Sequence, residues 1–163
     1  MLVKVAKNIR KYESYKYGFE RIKLAIEEEF FLEAIIYAES IISDRLLNHL
    51  VYRQTMSENV EKLPSIKTSL AELIKQWKKI DGQVPWKERE DLTEDIDKWR
   101  CQRNECAHSL AKSNPGNPTK PVKEFINLAR ESAVEGKILA QYICAWTQQQ
   151  KRKRKIQKDN MIV

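Results

Sequence analysis

Residues 29–54, EFFLEAIIYAESIISDRLLNHLVYRQ, decide the fold of this chain. The stretch contains no glycine or proline and is apolar nearly all the way round at helical spacing. It predicts one long helix covered on several sides, the centre of a bundle. Phe31, Ile35, Ile42 and Leu46 mark its main stripe, and Glu39 lies inside that stripe. A carboxylate among apolar neighbours must find a cation or take up a proton at a cost. Its partner has to come from another helix.

Toward the N-terminus, Tyr12, Tyr15, Phe19, Ile22 and Ile26 predict a helix over 12–27. On the other side, the polar stretch SENVEKLPS breaks the pattern. Ile66, Leu70, Leu73, Ile74, Trp77 and Ile80 then predict a shorter amphipathic helix, closed by Asp81-Gly82 and a Val84-Pro85-Trp86 turn. A further helix is expected over 88–112, ending at Ser113-Asn114-Pro115-Gly116-Asn117-Pro118. Pro121 suits the first turn of a final long helix, with Val122, Phe125, Ala129, Leu139, Ile143 and Trp146 as its core face. Gly136 inside that helix costs about 1 kcal/mol relative to alanine, and it is read as leaving room for a close helix contact. There is no strand pattern, internal repeat or Gly-rich phosphate loop. The expected fold is all-α, a four- to five-helix up-and-down bundle.

With 163 residues, 42% of them hydrophobic, the chain is expected to form one helical domain over 1–150 and a basic tail over 151–163. It has no apolar run of membrane-spanning length and no secretory pattern at its N-terminus. Cys101, Cys106 and Cys144 form no CxxC pair, and two histidines are too few for a usual zinc cluster. These features lead us to expect a cytoplasmic protein with reduced structural thiols, no metal and no cofactor. The net charge of +7 and pI near 9.3 favour an anionic partner. Much of that charge sits in Lys151, Arg152, Lys153, Arg154 and Lys155, with Lys158 nearby. The run reads either as a solvated tail or as a non-specific phosphate contact.

The partner for Glu39 emerges from helical phase. At 100° per residue from Leu92, Ile96, Trp99, Cys106, Ala107 and Leu110 fall within about 60°, and Arg103 at about 20° stands in the middle of their stripe. Arginine is rarely buried without a partner, so Glu39 is the preferred contact, with Asp44 the alternative acid. Arg100, Asn104 and His108 follow one another along the edge of the stripe as a polar ribbon. Arg103 and His108 are about 140° apart around the axis, so they meet one ligand only through the reach of the arginine. An arginine fork suits phosphate, and an imidazole both takes and gives a proton near neutral pH. An ion pair that merely fixes helix register would use the same Arg103 and Glu39. His49 has no arginine at this spacing and reads as structural or as a surface histidine.

Arg103-Asn104-Glu105-Cys106-Ala107-His108 resembles the signature of the HEPN superfamily, small α-helical domains of toxin–antitoxin, phage-defence and CRISPR systems. That signature is R-x4-6-H, often R-N-x3-H, near the end of a late helix. The helical plan and the acid on the earlier long helix also fit, although only the six-residue motif is specific. The resemblance implies a metal-independent endoribonuclease, a toxin or defence effector acting on tRNA or other cellular RNA. His108 would be the general acid/base, Arg103 would hold the scissile phosphate, and Asn104 would orient the phosphate or the helix. Arg100 is a candidate second phosphate contact that the motif itself does not demand. Homodimerisation around a composite site is implied, as is a separate antitoxin or sensor protein. RNA supplies its own 2′-OH nucleophile, so a base and a cation suffice to leave a 2′,3′-cyclic phosphate and a 5′-OH. DNA should survive. The alternatives are a non-catalytic helical dimerisation or interaction module, and an RNA-binding adapter that uses the basic run.

Overall fold

The computed structural model describes residues 2–56, 63–108, 115–119 and 121–160, with side chains described from residue 9 to residue 157 of these. The all-α expectation holds. The helices are α1 (Leu2–Glu27), α2 (Phe31–Thr55), α3 (Leu70–Asp81), α4 (Leu92–His108) and α5 (Val122–Asn160), forming a helical bundle with no strand among the described residues. Of the expected helix over 88–112, residues 109–112 lie outside the described residues, as do Ser113, Asn114 and most of SENVEKLPS. No described helix is long and apolar enough to cross a membrane.

The chain divides into two units, and the divisions fall inside α2, α4 and α5. The first unit comprises Met1–Ile41 and Lys98–Ile138. Its core is rich in small side chains, Ala25, Ala34, Ala38, Ala129 and Ala133, and its larger members are Ile22, Phe31, Ile35, Ile41 and Trp99. Gly136 has a specific reason to be glycine. A Cβ there would lie 2.7 Å from Trp99 Cζ2, and the indole is fixed because its Nε1–H donates to the Ser132 carbonyl at 2.8 Å. Between α1 and α2 the chain reverses through Glu29 at φ 61°. The Phe30 N–H returns to the Ala25 carbonyl at 2.7 Å and the Glu29 N–H to the Ile26 carbonyl at 3.3 Å. This is a Schellman closure with glutamate in the position glycine usually takes.

The second unit comprises Ile42–Asp97 and Leu139–Val163. Large side chains fill it: Ile42, Leu46, Leu50, Leu73, Ile74, Trp77, Leu92, Ile96, Leu139, Ile143 and Trp146. Ser69 caps α3 by accepting from the Glu72 N–H at 3.3 Å, and Gly82 ends it at φ 66°. This cap leaves Ile66 outside the helix and 91% exposed, although its spacing had placed it on the apolar face. Helix α4 starts at Leu92 rather than at 88 because Asp91 caps it. The Asp91 carboxylate accepts from the Thr93 N–H at 2.9 Å and the Val84 N–H at 3.1 Å. Burial works to raise the Asp91 pKa, but these hydrogen bonds outweigh it and hold the group below the usual carboxylate range. At the start of α5, Val122 is exposed rather than core. At its other end, lysine, arginine and glutamine are strong helix formers, and the helix continues through the basic run to Asn160.

Candidate functional site

The motif residues lie on the second half of α4, within the first unit. Ile96, Trp99 and Cys106 hold one face of that helix in apolar surroundings, which fixes the direction of Arg103. The Arg103 Nη2 donates to Glu39 Oε1 on α2, in the pairing that phase had favoured. Both side chains are partly open to solvent, 21% for Arg103 and 29% for Glu39. The pair is therefore neither a surface contact nor a sealed one. The Arg103 Nε is enclosed and has no hydrogen-bond partner among the described residues.

Asn104 is half-buried and His108 is exposed at the last residue of α4. Among the described residues neither hydrogen-bonds to Arg103 or Glu39. The structure thus brings Arg103 and Glu39 together and leaves Asn104 and His108 beside them on one helix edge, as their spacing dictates. Ala107 was placed near the apolar stripe, yet it is exposed. Arg100 is half-buried, and its Nη2 donates to Cys101 Sγ at 3.3 Å. Asp44 is not the arginine's partner. It belongs to the second unit and accepts the Asn48 amide at 3.0 Å.

The second unit holds a polar cluster that sequence reading had not assembled. His49 is buried and edges onto the Trp146 ring, with centroids 4.7 Å apart. Its Nε2 lies 2.5 Å from Asp81 Oδ2, and its Nδ1 lies 3.0 Å from the Arg154 Nη2. Arg53 Nη2 reaches the other Asp81 oxygen at 3.2 Å. The structural reading of His49 stands, and the surface one does not. Burial works to raise the Asp81 pKa, but the hydrogen bond from His49 and the charges of Arg53 and Arg154 hold it below the ordinary range. No spacing rule could have found this group, because its members are separated by 32 and 105 residues.

In the basic run, Lys151, Arg152, Lys153 and Lys155 are exposed on α5. Arg154 turns inward and lays its guanidinium 4.1 Å from the Tyr52 ring centroid. It is therefore not one of the outward phosphate contacts the run was expected to offer.

Cys101, Cys106 and Cys144 are all free. Burial pushes the thiols of Cys106 and Cys144 up, which keeps both protonated and unreactive.

No family model, curated protein or solved structure matches this chain.

Proposed function

We propose that this chain is a metal-independent endoribonuclease of the HEPN type, acting as a toxin or defence effector on tRNA or other cellular RNA. The observation that carries the reading is Arg103, held at one nitrogen by Glu39 and still partly open to solvent, with Asn104 and His108 farther along the same helix. Glu39 holds the guanidinium in place without consuming its five donors, so the remaining face can take a phosphate. His108, exposed at the helix end, is accessible to a ribose hydroxyl.

In the proposed reaction His108 removes the proton from the 2′-OH. The O2′–P bond forms as the P–O5′ bond breaks, and Arg103 stabilises the charge growing on the non-bridging oxygens. The departing 5′ oxygen needs a proton, and His108 of a second copy supplies it in a homodimer with a composite site. The products are a 2′,3′-cyclic phosphate and a 5′-OH. Arg100 adds a second phosphate contact in the first unit, and the exposed cations of α5 offer a separate, non-specific one in the second.

The test is incubation of purified protein with total RNA in excess EDTA, beside His108→Ala and Arg103→Ala, with the product ends mapped. Wild type should cut and leave cyclic phosphate, and each variant should lose at least about a hundredfold in rate, the usual worth of a general acid/base. Cleavage that persists in both variants would remove the reading. The alternative, a non-catalytic helical interaction module, draws on the same ion pair. It expects no cutting at all from a folded protein.

A further inference from the structure

The His49 cluster is a buried titratable group that the proposed reaction does not use. Arginine can only donate hydrogen bonds, so the Arg154 Nη2 at 3.0 Å makes His49 Nδ1 an acceptor without a proton. The single imidazole proton then sits on Nε2 and is donated to Asp81 Oδ2 at 2.5 Å. The contacts alone therefore specify one tautomer and a neutral ring. A second proton can go only onto Nδ1, where the Arg154 N–H already points. There it would set donor against donor and cation against cation, while the bond to Asp81 would survive as an ion pair.

The charged and titratable groups around the ring come from three helices: Tyr52 and Arg53 from α2, Asp81 from α3, and Arg154 from α5. Asp81 favours the second proton, and both arginines oppose it. Arg154 is the member that can leave, because one hydrogen bond to the ring, its seat on Tyr52 and the charge of Asp81 are what hold it, and it makes no direct ion pair with that carboxylate among the described residues. Its burial lowers its own pKa, with the charge of Arg53 acting in the same direction, so departure into solvent relieves a desolvated cation. Its chain neighbours Lys151, Arg152, Lys153 and Lys155 already face solvent.

We propose that His49 and Arg154 form a proton-operated latch, in which protonation of His49 at Nδ1 expels Arg154 and adds its guanidinium to the phosphate-binding face of α5. The phosphate part rests on the reading of that face as an RNA contact, and the latch itself does not. Acidification would thus strengthen and steepen the electrostatic grip on RNA by one defined side chain.

The experiment uses the full chain labelled with 15N and follows the imidazole nitrogens of His49 by NMR across pH. Near neutral pH, His49 should show the Nε2–H tautomer with a bare Nδ1, and the guanidinium protons of Arg154 should vanish with the same midpoint at which the ring titrates. Arg154→Gln should raise that midpoint by about one pH unit or more, Asp81→Asn should lower it, and Lys153→Gln should leave it in place. An Nδ1–H tautomer in the wild type, or a midpoint unmoved by Arg154→Gln, would overturn the latch. The wild-type tautomer measurement stands even if a variant fails to fold. A labelled oligouridylate then tests the phosphate part. Below the midpoint the slope of log K against log salt should steepen by about 0.7 more in wild type than in Arg154→Gln, the worth of one phosphate contact on a single strand. Equal slopes in the two proteins would overturn the delivery of Arg154 to RNA. Loss of all binding at both pH values would refute the RNA reading while the NMR result still decides the latch.

Discussion

The chain has two histidines, one in each unit, and each unit pairs arginine with an acid, yet the two groups are finished differently. Around His49 the polar atoms close on one another. The imidazole uses both nitrogens, Asp81 uses both oxygens, and Trp146 packs against the ring. Around Arg103 they do not. Glu39 takes one nitrogen, both side chains of the pair stay partly open to solvent, and His108 is exposed. The same residue types thus give a closed cluster in a core of large side chains and an open one beside a core rich in small side chains. A closed cluster serves stability, whereas an open one keeps donors for a ligand.

The sharpest way to break this contrast is to remove one member from each group. His49→Ala leaves the half-buried Asp81 and Arg154 without the ring that joins them and empties the buried place beside Trp146, and should cost about 2 kcal/mol or more. Glu39→Gln keeps the shape of the open pair and removes only its charge, with solvent nearby, and should cost about 1 kcal/mol or less. Urea unfolding midpoints at constant m would measure both. Equal losses would mean that the Arg103 pair is as structural as the His49 cluster.

A second test bears on the small-residue core. Alanine is the better helix former by about 1 kcal/mol, so Gly136→Ala would stabilise an open helix position. Here the new methyl meets the Trp99 indole, which is 1% exposed and cannot retreat. We expect a net loss of about 1–3 kcal/mol, and a smaller loss when Trp99→Leu is present as well. A gain in stability from Gly136→Ala alone would mean that the α4–α5 contact in the first unit is loose.

The smallest expected effect is in acid. Asp81 has a folded pKa below its unfolded value, so its contribution is fully present above about pH 4, the unfolded carboxylate value. It is lost as pH falls through the folded value. Stability measured against pH should therefore drop less on acidification in Asp81→Asn than in wild type. An identical drop in both would show that the closed cluster does not depend on that charge.

How much of this was legible in the sequence varied with the range of the interaction. Arg103 and Glu39 each stood out as a charge in the middle of an apolar stripe, and two such anomalies on two helices point at each other. The long α2 was equally plain, since nothing in residues 31–55 interrupts it. Helix starts were harder, because apolar spacing alone runs past the caps. Ser69 and Asp91 stop α3 and α4 from beginning earlier, and the side-chain bonds they make are the signals that placed Ile66 wrongly when ignored. The His49 cluster was hidden for a different reason. His49, Asp81 and Arg154 come from separate helices, each is unremarkable on its own helix, and only the packing brings them together. The inward turn of Arg154 was hidden by composition, since four exposed cations beside it read as a uniform run.

The interleaving of the two units has a consequence for synthesis. Each unit draws on segments far apart in the chain, the first on residues 1–41 with 98–138 and the second on 42–97 with 139–163. A ribosome delivers α1 and most of α2 early, but the first unit has no complete core until residue 138 has emerged, and the second needs the segment after it. Neither core can therefore close until the α5 segment that completes it has been made. Native packing in each unit thus waits on a segment from which its first part is separated by residues of the other unit.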